Sequence, residues 1–117
     1  MAQFSEFHDY IVHDVFSGIP GITSRKMFSD SGIYKDGIFF SIISDSELYF
    51  RTDEKSRPDF AKYGSEPFSY PRAGKTAVLK NYWRVPEEII EDRERIFEWV
   101  EAAVRAAENV KKKKGKK

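Results

Sequence analysis

The 117 residues contain no cysteine and only two histidines, two methionines and two tryptophans. Without cysteine there is no disulfide, no thiolate zinc site and no cysteine nucleophile; the absence fits a reducing cytoplasm. No apolar run approaches the ~20 residues of a membrane-spanning helix. The first residues, MAQFSEFHDY, lack a basic segment followed by an apolar one, so they do not read as a secretory signal. A cytoplasmic protein with no membrane partner is the expectation. What is present is a globular composition: 40% hydrophobic and 15% aromatic residues, with ten Phe and six Tyr. A chain of this length is one domain and can bury roughly two thirds of its unfolded surface.

The net charge of +1 averages two unlike parts. The last seven residues, KKKKGKK, carry six lysines; the rest holds 14 basic against 19 acidic residues, about −5. The domain is therefore expected over residues 1–110, followed by a disordered lysine-rich tail over 111–117.

Phe4, Phe7, Ile11 and Val15 recur at helical spacing and predict an amphipathic helix over Gln3–Phe16, ended by Gly18, Pro20 and Gly21. A first strand is expected over Ser24–Tyr34, with a break near Asp30. Asp36-Gly37 offers the positive φ of a two-residue hairpin turn, and Ser44-Asp45-Ser46 makes a second turn. Between them, Ile38–Ile43 is apolar on both faces, with Ile38, Phe40 and Ile42 on one and Phe39 and Ile43 on the other. Glu47–Thr52 alternates, Leu48 and Phe50 inward, Tyr49 and Arg51 outward. Ser56 and Asp59 resemble a capping box for a short helix ending at Gly64. Strands follow at Pro67–Tyr70 and Thr76–Val85, the second bulged near Lys80-Asn81. Asp92 can cap a last helix whose stripe is Ile96, Trp99, Val100, Ala103, Val104 and Ala107, supported by the pairs Glu91–Arg95 and Glu101–Arg105. The fold class is α+β: two layers in the order α-β-β-β-α-β-β-α, with a mainly antiparallel sheet and helices chiefly on one side.

Chemical motifs are weak. Ala73-Gly74-Lys75-Thr76 imitates the end of a phosphate loop, but the earlier glycine is Ser69 and a strand follows instead of a helix. His8 and His13 are five apart and diverge around the helix, so they do not share a metal. Asp30, Asp36 and Asp45 read as turn residues, and Glu87, Glu88, Glu91 and Asp92 as helix-start residues. No catalytic residue, metal site or cofactor is assigned, and no enzymatic activity is expected. Tyr49-Phe50-Arg51 and Tyr82-Trp83-Arg84 interleave aromatics with arginine, as single-strand nucleic-acid surfaces do, although ordinary amphipathic strands do so too.

The ordered set Arg25-Lys26-Met27-Phe28, Gly32 to Gly37, Phe40, Glu47 to Arg51, Arg57-Pro58-Asp59-Phe60, Gly64 to Tyr70 and Tyr82 to Glu88 resembles the N-terminal domain of the TfoX/Sxy family of competence regulators, over roughly residues 20–107. The resemblance implies a two-layer domain similar to secretion-chaperone-like folds, and supplies no catalytic residues. Two departures accompany it: Ser29-Asp30 stand where the family usually has paired glycines, and lysines stand where family regulators continue into a second helical domain. The expected function is a small regulatory module working through protein–protein contacts, with a homodimer plausible. Phe39, Ile43, Tyr49 and Trp83 are its candidate interaction surface. The alternatives are weak nucleic-acid binding through Lys111, Lys112, Lys113, Lys114, Lys116 and Lys117 with Arg51 and Arg84, and a small-ligand protein or enzyme with a pocket beside the sheet.

Overall fold

The structure, a computed structural model, describes residues 6–27 and 30–115, with all their side chains except those of 27, 70–72 and 110–115. Helix α1 (Glu6–Tyr10) widens into a π-helical turn over Ile11–Val15. Strands β1 (Ile22–Met27), β2 (Asp30–Lys35), β3 (Ile38–Ser44) and β4 (Glu47–Arg51) follow, then α2 (Arg57–Lys62), β5 (Pro67–Arg72), β6 (Lys75–Arg84), α3 (Glu87–Ile90) and α4 (Arg93–Gly115). The six strands form one antiparallel sheet in the order β1-β2-β3-β4-β6-β5. The α+β class and the mainly antiparallel sheet are as the sequence predicts.

The single strand expected over Ser24–Tyr34 is two strands. Residues 22–27 fold back on 30–35 with Met27 opposite Asp30, so Asp30 opens a strand. The break lies beside the Ser29-Asp30 departure; positions 28 and 29 lie outside the described residues, as does Phe4. Where the turn chemistry is explicit, the reading holds. Asp36 and Gly37, Asp45 and Ser46, and Ala73 and Gly74 all have positive φ, between 50° and 83°, as tight two-residue hairpins require. Gly21 is also fixed by its place: φ is +81°, and an added Cβ would lie 2.1 Å from Asp36 Oδ1. Its carbonyl accepts the Asp36 N–H at 2.9 Å, tying the strand entry to the β2–β3 turn.

The two faces of the sheet follow from the register, because residues opposite one another across strands share a face. Ile33, Phe40, Ile43, Leu48 and Phe50 face the helices, and join Ile11, Phe16, Phe60, Val85, Ile89, Ile96, Val100 and Ala103 in one core. Helix α4 lies over β3 and β4, and its Ala103 and Ala106, both 1% exposed, permit close approach. Phe60 on α2 packs on Trp99 of α4, with ring centroids 4.5 Å apart. Burying each large apolar side chain of this core stabilises the fold by about 1.5–3 kcal/mol.

The faces of β3 differ from those expected. Tyr34 lies opposite Phe39 and Ile33 opposite Ser41, which leaves Phe40 as an extra residue. A bulge reverses the alternation along a strand. Phe40 and Ile43 consequently both join the helix-side core, while Phe39 and Ile42 join the cluster on the other side. A second irregularity lies at the predicted place. Phe68 pairs with Leu79 and Pro67 with Trp83, so residues 80–82 of β6 have no counterpart on β5. There β6 leaves β5 and pairs with β4.

The helix starts also differ in part. The reciprocal box of α2 sits one turn earlier than predicted. Asp53 Oδ1 accepts the Ser56 N–H at 2.9 Å, Ser56 Oγ accepts the Asp53 N–H at 3.0 Å, and the Arg57 N–H bonds to the Asp53 carbonyl. Ser56 itself has helical dihedrals, and so cannot be the cap. Asp92 caps α4 as predicted, its Oδ1 accepting the N–H groups of Glu94 and Arg95, both at 3.1 Å. Because Glu91 precedes that helix, Arg95 pairs with Asp92 at 3.7 Å and donates to the Tyr63 hydroxyl at 2.7 Å. The helical backbone of α4 passes the boundary expected at residue 110 and runs through Gly115. Lysine is a good helix former, and no glycine or proline intervenes before that position.

Candidate functional site

Two surfaces stand out, and both are consequences of the sheet. The first is its helix-free face. Its cluster of Ile42, Phe68 and Tyr82, with Phe39, Tyr49 and Leu79 packed against it, comes from strands alone. Tyr34 and Phe39 are 5.2 Å apart between ring centroids, Phe39 and Tyr82 5.8 Å, and Tyr49 and Phe68 4.7 Å. The last contact is informative. Phe68 lies on β5 and Tyr49 on β4, with β6 between them. Strands two apart in a flat sheet are separated by roughly 9–10 Å, so the two rings lean toward each other across β6.

The Arg51 guanidinium lies over the Tyr82 ring, 5.5 Å from its centroid, within the range of a cation–π contact. Arg51 Nε is buried without a hydrogen-bond partner. Burial raises the pKa of the Tyr82 hydroxyl, and Arg51 opposes that rise through a hydrogen bond and its charge. Burial also raises Tyr49, with Glu47 adding to the rise and Arg84 opposing it.

The second surface is a cleft beside α3. One part, about 410 Å³, is lined by Tyr63, Ser65, Arg84, Pro86, Glu87, Glu88 and Glu91. The adjoining part, about 240 Å³, shares Arg84, Glu87 and Glu91 and has Phe7, Leu48, Val85 and Ile90 among its walls. Carboxylates thus surround a partly apolar hollow. The one arginine there, Arg84, lies 3.7 Å from Glu47.

The sequence-predicted residues are divided between these places. Phe39 and Tyr49 lie on the helix-free face. Ile43, 3% exposed, belongs to the helix-side core, and Trp83 packs against that core beside Phe60. The four therefore do not form one surface; the bulge at Phe40 separates Phe39 from Ile43. Arg51 and Arg84 share the helix-free face by register, but Arg84 is turned to Glu47. Lys111, Lys112, Lys113 and Lys114 continue the α4 backbone, while Lys116 and Lys117 lie outside the described residues. His8 is buried, with Nε2 2.9 Å from Ser24 Oγ and Nδ1 3.2 Å from Asp9 Oδ1. Among the described residues, no three His, Cys, Asp or Glu side chains are grouped to hold a metal, and no helix is long and apolar enough to cross a membrane. The cleft was not foreseen. In the sequence Glu87, Glu88 and Glu91 read as residues of a helix start, and the return of β6 beside β4 brings Glu87 and Glu91 to the same hollow as Glu47.

These features define an α+β domain with one helix-covered and one open sheet face. The match to known families is specific: the TfoX N-terminal domain covers residues 14–107, and the chain belongs to that family. Protein Sxy of Escherichia coli (strain K12) is 28% identical over 89 residues, spanning 76% of this chain and 42% of Sxy. The chain thus spans less than half the length of this curated relative.

Proposed function

We propose that the chain is a regulatory binding module of the competence-regulator type that works through protein–protein contacts, and that the contact is made at the cleft beside α3. The carrying observation is the pairing of apolar walls from Phe7, Leu48, Val85 and Ile90 with carboxylates from Glu47, Glu87 and Glu91. Such a hollow fits a partner segment that combines a hydrophobic anchor with lysine or arginine, since the anchor supplies affinity and the charges supply orientation. Membership of the TfoX N-terminal family supports the regulatory setting.

The test is site-specific photocrosslinking with a benzoyl-phenylalanine at Tyr10, compared with one at Val78 on the outer side of the β5–β6 hairpin. A discrete adduct from Tyr10 only, lost in Glu87→Lys/Glu91→Lys, is the expected result. Equal adducts from both positions, or an adduct indifferent to the charge reversal, would remove the cleft from the account.

A further inference from the structure

The helix-free face reaches that cleft only through Arg84, and it has a chemical polarity of its own. Across the sheet, the register sets Tyr34 opposite Phe39 on β2 and β3, and Arg51 opposite Tyr82 on β4 and β6. With Phe39 and Tyr82 5.8 Å apart, these residues make one continuous row. Lys75, which begins β6, falls on the same face as Leu79 by alternation and extends beyond the Arg51 end. At the opposite end Glu47, Glu66 and Asp45 are carboxylates whose charges reach Tyr49, while Asp36, in the turn beside Phe39, is paired with Lys35 at 3.2 Å. At the Arg51 end, the charge of Arg51 acts on Tyr82. Arg51 is absent from every ion pair among the described residues, and one of its N–H donors is buried unmet.

A cation held on an aromatic floor, in no ion pair among the described residues, is unusual on a body whose charge is about −5. It is the arrangement that receives an anion attached to a flat ring. We propose that this end of the open sheet face binds single-stranded nucleic acid, with bases stacking on Tyr34 and Phe39 and phosphates meeting Arg51 and Lys75. Every base has a π-face, so stacking of this kind is tolerant of sequence. A duplex conceals its base faces and is a poor ligand for aromatic side chains that bind by stacking. This site is distinct from the lysine tail, which would give charge-driven and structure-blind binding.

The experiment is fluorescence anisotropy at about 50 mM salt, where phosphate contacts are strong. Its probes are labelled oligo-dT and oligo-U of about 12 nucleotides and a DNA duplex of equal length. The protein is the full chain with its six tail lysines changed to glutamine, which removes the tail as a source of binding. That protein should still bind at least one of the two single strands, and about tenfold or more tighter than the duplex. Lys75→Glu, in an exposed hairpin turn, should weaken binding about tenfold, and Phe39→Leu by a similar factor with the fold retained. Lys75→Glu keeps the test decisive if Arg51→Gln fails to fold. No binding by the tail-neutral chain, equal binding of duplex, or an affinity unchanged by Lys75→Glu and Phe39→Leu would each overturn the proposal. So would a dimer in light scattering that Phe39→Glu dissolves, since the face would then be occupied by the chain itself.

Discussion

On the helix side of the sheet Phe40 and Phe50 have no exposed surface, whereas Phe39 and Tyr49, their neighbours in the chain, are only half-buried on the other side. Each pair comes from the same strands and has similar chemistry. The difference is what lies above them: α1, α2, α3 and α4 cover the first face, and the second carries a cluster of strand side chains alone. An aromatic under a helix contributes to stability in proportion to the area it loses to solvent. An aromatic left half-open contributes less and keeps a surface on which something else can pack. One sheet thus serves two purposes, and the bulge at Phe40 decides which residues serve which.

The comparison yields graded expectations. Phe50→Ala, on the covered face, should cost about 3–5 kcal/mol in urea unfolding, because it leaves a cavity where helices and sheet meet. Phe39→Ala, on the open face, should cost about 1–2 kcal/mol. Equal losses would mean that the open face is as closed as the other. Smaller effects distinguish the two candidate caps of α2. Asp53→Ala removes two bonds at the helix entrance and should lower stability by about 1 kcal/mol, while Asp59→Ala should change it by less than about 0.5 kcal/mol. The smallest expected effect is alkaline. Burial holds the Tyr82 hydroxyl neutral above its ordinary value of 10.0, so its contribution is complete below about pH 10 and is lost as pH rises through the folded value. Tyr82→Phe should flatten the decline of the melting temperature above pH 10.

The turns were legible because their signals are local: a dipeptide such as Asp36-Gly37 specifies its own backbone. The same holds for Asp92, whose side chain bonds within its own helix. The face assignments of β4 were also legible, because that strand alternates without interruption. What escaped was set by pairing across the sheet. No residue in Ile38–Ile43 announces that Phe40 is supernumerary, since each is apolar and fits either face. The division of Ser24–Tyr34 into two strands, likewise, depends on β1 finding β2. The α2 cap was misplaced because Ser56 and Asp53 are both good capping residues, and only the chain's path after β4 chooses between them. The cleft required knowing that β6 returns next to β4, placing Glu87 and Glu91 near Glu47.

The most direct test of this two-faced sheet uses the absence of native cysteine. Single cysteines at Phe39, Tyr49 and Ile43 are treated with a thiol reagent under native conditions and the modification rates compared. The thiols at 39 and 49 should react at rates near that of an unfolded control. The thiol at 43 should react about a hundredfold more slowly or less, through unfolding alone. If Ile43→Cys reacts as fast as Phe39→Cys, the bulge does not separate the two, and the assignment of one face to the fold and the other to binding is wrong.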